Sequence, residues 1–219
     1  MSQKPAHFNT RYAGQVIKWS GTDQPDAADP NYPHDISYIY NTEGFRNYSF
    51  DDRPCSIALG CSHTEGVGLP VQFTWPSVLS EMIGHTVWNL GVGGASNDDV
   101  YRIAQYWIPE LKPQHVFLLT PPSTRYSMYH HNTWNTISVH DSHDAAYNFI
   151  YFEHDENSSM NTQRNLDAVN SVALANHCAL YSLNSEHEFT MDGLARDQQH
   201  SGPNAHHEIA LIFETLLDI

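Results

Sequence analysis

The sequence predicts an α/β protein, a three-layer αβα sandwich of flavodoxin-like type with a parallel sheet of about five strands. Three observations predict it. Short apolar runs alternate with longer segments of helical period, in the order βαβαβ…αβα. The runs are closed by Gly, Pro or polar residues. They are also continuously apolar, as strands covered by helices on both faces must be.

Residues 1–52 are polar and rich in Pro and Asp, above all in "GTDQPDAADPNYPHD", and read as an irregular N-terminal arm. Within it "ISYIYN" (Ile36 to Asn41), aromatic and β-branched, predicts a short strand. Residues 53–219 carry the alternating pattern and read as the main domain. "CSIAL" is a buried strand stopped by Gly60. "TWPSVLSEMIG" (Thr74 to Gly84) is a helix with Thr74 as cap, Pro76 in the first turn and Gly84 as stop. "TVWNL" is a strand, and "SNDDVYRIAQYWIPEL" a helix capped by Ser96 or Asn97, with two Asp where the dipole favours them. "QHVFLLT" (Gln114 to Thr120) is a strand stopped by Pro121-Pro122. Residues 123–158 are aromatic and His-rich without clear period, and read as a long loop, functional or partly disordered. "NTQRNLDAVNSVALANH" is a helix, "CALYSL" a strand and "GPNAHHEIALIFETLLDI" the last helix.

Composition narrows the function. Ten Lys plus Arg stand against 25 Asp plus Glu, a formal charge of -15. Such a chain repels phosphate backbones and anionic headgroups, so neither nucleic acid nor a membrane is expected as partner. The start "MSQKPAHFNTRY" has no apolar core, and no run approaches the ~20 residues of a membrane span. A cytoplasmic location is the expectation. Three cysteines, Cys55, Cys61 and Cys178, form no CxxC pair and suggest no disulfide framework. Fifteen histidines include no HExxH, so a solvated polar surface explains them better than a metal site.

In open parallel sheets ligands sit beyond the carboxyl ends of the strands. Three polar segments fall there: Gly60 to Glu65, Gly91 to Asn97 and Thr120 to Arg125. In "GCSHTEG", Ser62 is either a helix cap or a nucleophile, and a serine nucleophile needs a base. In "LARDQQHSG", Asp197 and His200 are three apart, and on a helical turn they share a face. Asp197 would then orient His200 toward the serine. Alone, this is an Asp and a His of a surface loop. Its place after the last strand puts it on the edge of Ser62. "NLGVGGASND" is a glycine turn of the kind that brings backbone N–H groups close to a ligand. A dinucleotide loop is discounted, because Ser96 stands at the third glycine position and no acidic residue ends the next strand. Cys61 is a rival nucleophile, but it neighbours Glu65 and no Lys or Arg.

These blocks resemble the SGNH, or GDSL-like, hydrolase superfamily over roughly residues 36–217. "GCSHTEG" matches its GDS-x-x-x-G block with Ser62 in the nucleophile place and Cys61 replacing the Asp. Gly94 matches its oxyanion-hole glycine, and Asp197 with His200 match its D-x-x-H block. "YNTEGFR" (Tyr40 to Arg46) is similar to the arm before the first strand in some members. The third block, G-x-N-D, reads "LLTPPSTRY" here, with Ser123 near the Asn position. A hydroxyl or guanidinium there supplies the third donor, or the hole has two backbone donors.

The resemblance implies that residues 53–219 form a catalytic domain cleaving an ester, of short acyl chain, such as acetyl on a carbohydrate. Ser62, Asp197 and His200 would form a catalytic triad. Ser62, Gly94 and Ser123 would hold the oxyanion, and His63 and Arg125 would touch substrate. No metal or organic cofactor is expected. The partner would be a small-molecule or carbohydrate ester, with "RYSMYHHNTWN" (Arg125 to Asn135) stacking on sugar rings unless its aromatics fill the core. The altered third block leaves a second reading, a weak or inactive hydrolase-like domain that binds a glycan.

Overall fold

The computed structural model describes residues 12–32, 34–130, 133–138, 155–185 and 193–217. The chain opens with a two-residue antiparallel ribbon, β1 (Val16–Ile17) and β2 (Tyr38–Ile39). Then come β3 (Cys55–Leu59), the short helix α1 (Ser62–Glu65), α2 (Trp75–Ile83) and β4 (Thr86–Asn89). Next are α3 (Asn97–Leu111), β5 (His115–Thr120) and an antiparallel hairpin of β6 (Arg125–His130) and β7 (Thr133–Ser138). The chain closes with α4 (Asp155–Ala175), β8 (Ala179–Asn184) and α5 (Pro203–Leu216).

The central sheet is parallel, in the order β4-β3-β5-β8, the flavodoxin-like order in which the chain leaves β3 first to one side and then to the other. It holds four strands among the described residues, where about five were expected. The run Ile36 to Asn41 pairs only at Tyr38–Ile39, with β1 and outside that sheet.

Successive strand residues point to opposite faces. Ile57, Leu59, Val116 and Leu118 pack with Val100, Ile103 and Ala104 of α3 and with Val169 and Ala173 of α4. Ala58, Phe117 and Leu119 pack the other way, on Trp75 and Leu79 of α2 and Ile209 and Phe213 of α5. Both faces are therefore apolar, and the strands read as unbroken apolar runs. The helix ends follow from local chemistry. Ser96 and Asp99 form a capping box at the start of α3, and Gly84 ends α2 at a φ of 69°. Across the second interface, the Trp75 N–H donates to His206 Nδ1 at 3.0 Å. Burial holds His206 down to about 3, so it is a neutral acceptor.

The stretch 123–158, expected as one long loop, instead contains the β6–β7 hairpin; residues 139–154 lie outside those described. The hairpin is tied to the first turn of α3. Asp98 accepts from the Ser127 N–H at 2.8 Å, Asp99 from the Thr136 hydroxyl at 2.7 Å, and Ser96 and Ser127 share a bond of 2.8 Å. These anchors are polar, and apolar periodicity does not report them. Residues 12–52 bond to the same edge of the sheet. Arg46, 1% exposed, donates to the carbonyls of Glu65, Gly66 and Leu69. Asp23 pairs with Arg196 at 2.7 Å and accepts from the Tyr38 hydroxyl. Among the described residues no helix is long and apolar enough to cross a membrane.

Candidate active site

The turn after β3 allows little choice of residue. Gly60 has φ +154°, and a Cβ there would collide with Thr64 Oγ1 and lie 2.6 Å from the Leu119 carbonyl. The chain then enters α1 at once, with Ser62 as its first residue, and leaves through Gly66 at φ 80°. The Ser62 hydroxyl is thus held at the carboxyl edge of the sheet.

Asp197 and His200 arrive on the loop between β8 and α5. That loop is not the helical turn expected. It is a tight non-helical turn, closed by a bridge between Leu194 and Ser201, with Gln198 at φ 58°. The two side chains still meet, because Asp197 Oδ1 accepts from the His200 N–H at 3.0 Å while Oδ2 takes His200 Nδ1 at 2.5 Å. His200 Nε2 lies 2.7 Å from Ser62 Oγ. Gly68 lets the loop dock, since a Cβ there would lie 2.7 Å from Ala195 Cβ. Asp197 Oδ1 also accepts from the Gln199 N–H at 3.2 Å, and a fourth donor that the sequence did not reveal is the Thr22 hydroxyl at 2.5 Å. Burial works to raise the Asp197 pKa, but the bonds from His200 and Thr22 outweigh it and hold the carboxylate well below its ordinary range.

The Ser62 N–H opens α1 and has no acceptor within that helix. The Gly94 N–H has no acceptor among the described residues. Both residues line a cavity of about 640 Å³. Gly93 beside them is anchored, donating its N–H to Glu65 Oε2 at 2.6 Å. The other oxygen of the Glu65 carboxyl accepts from the Tyr40 hydroxyl. The glycine turn is thereby tied to the helix that bears Ser62.

Of the other sequence-singled residues, His63 and Arg125 line the cavity with His200, whereas Ser123 is half-buried and does not. The His63 ring lies 4.8 Å from that of His200. Burial first, then the charges of His200 and Arg125, push His63 down to about 4, so it is neutral near pH 7. Cys61 is 1% exposed and offers no sulfur to the cavity, which removes it as a rival to Ser62. Tyr126 is buried, but Tyr129 is 57% and Trp134 40% exposed, and Trp134 lines the cavity. Among the described residues no group of three or more His, Cys, Asp or Glu is placed to hold a metal ion.

No protein-family model matches the sequence, and no curated protein matches it. Solved structures do. TesA superimposes with a TM-score of 0.52 at 13% identity, covering 74% of this chain and 97% of TesA. The fold is the SGNH-hydrolase fold. Also similar are a putative lipolytic protein of the G-D-S-L family from Desulfitobacterium hafniense (TM-score 0.42, 18% identity, covering 76% and 73%) and the esterase EstA from Pseudoalteromonas (0.47, 12%, covering 76% and 98%).

Within the SGNH-hydrolase fold, the sequence pointed to Ser62, Gly94, Asp197 and His200, and all four meet at one cavity or directly behind it. It missed Thr22 and Glu65. Thr22 sits in a polar stretch with no periodicity. Glu65 was visible in "SHTEG", but its partners, Tyr40 and Gly93, are 25 and 28 residues away.

Proposed function

We propose that the protein is a serine hydrolase that cleaves a carboxylic ester through an acyl-enzyme. The observation that carries this reading is the unbroken line of hydrogen bonds from Ser62 Oγ through His200 to Asp197 at the edge of an open cavity. A serine hydroxyl is a poor nucleophile until a neighbouring base takes its proton. His200 is within reach to do so and to return the proton to the leaving alcohol. Asp197 fixes the ring by its Nδ1 side and supports the imidazolium that forms. Charge developing on the carbonyl oxygen falls to the N–H groups of Ser62 and Gly94, two backbone donors at the cavity wall. Water then attacks the acyl-enzyme by the same proton path. The chemistry requires no metal or organic cofactor.

For substrate, the reading is a short acyl group, such as acetyl, on a small alcohol or carbohydrate. A cavity of about 640 Å³ suits a small molecule. Trp134 on its wall supports stacking against a sugar ring. The same exposed aromatics favour the second reading, a glycan-binding domain without turnover. The short Ser62–His200 bond weighs against it, since binding alone has no use for an activated serine. A fluorophosphonate probe separates the two. Labelling of Ser62 and turnover of p-nitrophenyl acetate, both lost in Ser62→Ala, support the hydrolase; a folded wild-type protein that does neither removes it.

A further inference from the structure

The protein is acidic, with 25 Asp plus Glu against 10 Lys plus Arg. In such a chain every arginine can find an acidic or carbonyl partner, and the described ones do so with a single exception. Arg46 donates to three carbonyls, Arg53 to Asp51, Arg102 to Asp99, Arg164 to Asn161 and Arg196 to Asp23. The Arg125 main-chain N–H donates to the Pro122 carbonyl, but its guanidinium has no hydrogen bond or ion pair among the described residues, and its Nη1 is shut off from solvent as well. A guanidinium nitrogen with neither water nor a partner is costly, and native structures rarely leave one without a use.

The place of Arg125 supplies that use. It begins β6, directly after the strand end at Thr120, and lines the cavity with Ser62 and His200. The acidic groups at that cavity among the described residues are engaged elsewhere. Glu65 accepts from Tyr40 and Gly93, Asp99 from Arg102 and Thr136, and Asp197 from His200 and Thr22. His63, whose protonation the Arg125 charge opposes, is itself uncharged near pH 7. Among the described residues no anion answers Arg125, which leaves its guanidinium open to a counter-ion brought by the ligand. An oxyanion does not meet the need, because it exists only during turnover, whereas the unpaired cation is present at rest.

Resting on the hydrolase reading above, we infer that Arg125 receives a carboxylate of the substrate, so that the ester cleaved is one of an acidic acyl group or an acidic alcohol. The guanidinium fork suits a planar carboxylate, and a charge-assisted hydrogen bond is stronger than a neutral one.

The test uses two pairs of esters that differ by the carboxylate. 4-Nitrophenyl butyrate and 4-nitrophenyl hydrogen succinate place the carboxylate on the acyl side; phenyl acetate and 4-acetoxybenzoate place it on the alcohol side. In wild type, kcat/KM favours the charged member of one pair by about tenfold or more. Arg125→Gln collapses that ratio, and Arg125→Lys, which keeps a cation, preserves its direction. A neutral preference in both pairs, or an equal fall in both members with Arg125→Gln, overturns the inference. Should wild type cleave none of the esters, the hydrolase reading fails and calorimetry decides the anion site separately. Binding of succinate or 4-hydroxybenzoate that Arg125→Gln abolishes keeps the site; no binding removes it.

Discussion

Two neighbouring strands of one sheet, β3 and β5, end in opposite ways. After β3 the chain has almost no freedom: Gly60 admits no side chain, Thr64 and Glu65 are buried, and Gly66 closes a single helical turn around Ser62. After β5 two prolines stop the strand and a hairpin is added, held to α3 by Asp98 and Asp99, with Tyr129 and Trp134 exposed. The first end is overdetermined by the core. The second hangs on polar ties and carries a guanidinium with no partner among the described residues. The difference teaches where each task sits. On the hydrolase reading, the groups that must hold angstrom geometry are built into the sheet, and the groups proposed to meet substrate are carried on an appendage free to vary without disturbing them.

The largest test of this division is Ser62→Ala. It should lower ester turnover by about 10⁴-fold or more with no change in the unfolding transition, measured by p-nitrophenyl acetate hydrolysis beside thermal melting. Turnover persisting above about a hundredth of wild type would break the comparison, because the chemistry would then lie elsewhere. Gly60→Ala strikes the same end through its backbone. A Cβ forced against Thr64 and the Leu119 carbonyl should cost about 3 kcal/mol in urea unfolding, roughly a hundredfold in the folding constant.

Glu65→Gln comes next. Both carboxyl oxygens of Glu65 accept hydrogen bonds, one from Tyr40 and one from the Gly93 N–H. An amide offers only one such oxygen, so the glycine turn must shift. The Gly94 N–H moves with it, and kcat should fall about tenfold to a hundredfold while KM changes little. An equal rise in KM would mean that Glu65 shapes the cavity rather than the donor.

Acid sharpens the contrast in a smaller way. His63 is held down to about 4 in the folded protein, against an ordinary value of 6.5. Between these values the unfolded chain binds a proton that the folded one refuses, so stability falls as pH drops from about 6.5 toward 4. The loss is at most about tenfold in the folding constant per pH unit. His206 acts with the same sign down to about 3, and Asp197 matters only below the usual carboxylate range, so the His63 share is a difference. It is read from urea unfolding of wild type and His63→Gln at pH 7 and pH 5. Parallel losses in the two proteins would show that His63 contributes none of it.

How much of this was legible in the sequence follows the same division. The four strands of the central sheet, α2, α3 and α5 were readable because packing on both faces of the sheet leaves apolar runs and the helix caps are local, as with Ser96 and Gly84. Ser62 was readable because Gly60 and Gly66 bracket it for steric reasons. Asp197 and His200 were readable as a pair, although the turn that joins them is not helical. What escaped notice depends on partners distant in the chain. Thr22 reaches Asp197 across 175 residues, and the hairpin anchors join residues about thirty apart through polar atoms. Neither leaves a period in the sequence. Ser123, placed by analogy with a block the chain lacks, does not line the cavity, whereas Arg125 two residues later does.

The smallest expected effect belongs to the hairpin. Trp134 lies on the cavity wall with the Arg102 guanidinium 4.1 Å from its ring centre. It is 40% exposed, so removing it opens no cavity in the core and should change stability by less than about 1 kcal/mol. Nor does Trp134 take part in the Ser62–His200–Asp197 line, so kcat should hold. What Trp134→Ala removes is stacking area for a ring, worth about 1 kcal/mol at a half-open wall, and KM for an acetylated sugar should rise about threefold to tenfold. KM for p-nitrophenyl acetate should rise less if the aryl group does not reach that wall. A fall in kcat equal to the rise in KM would sink the division itself, because the appendage would then be setting the position of the reacting atoms.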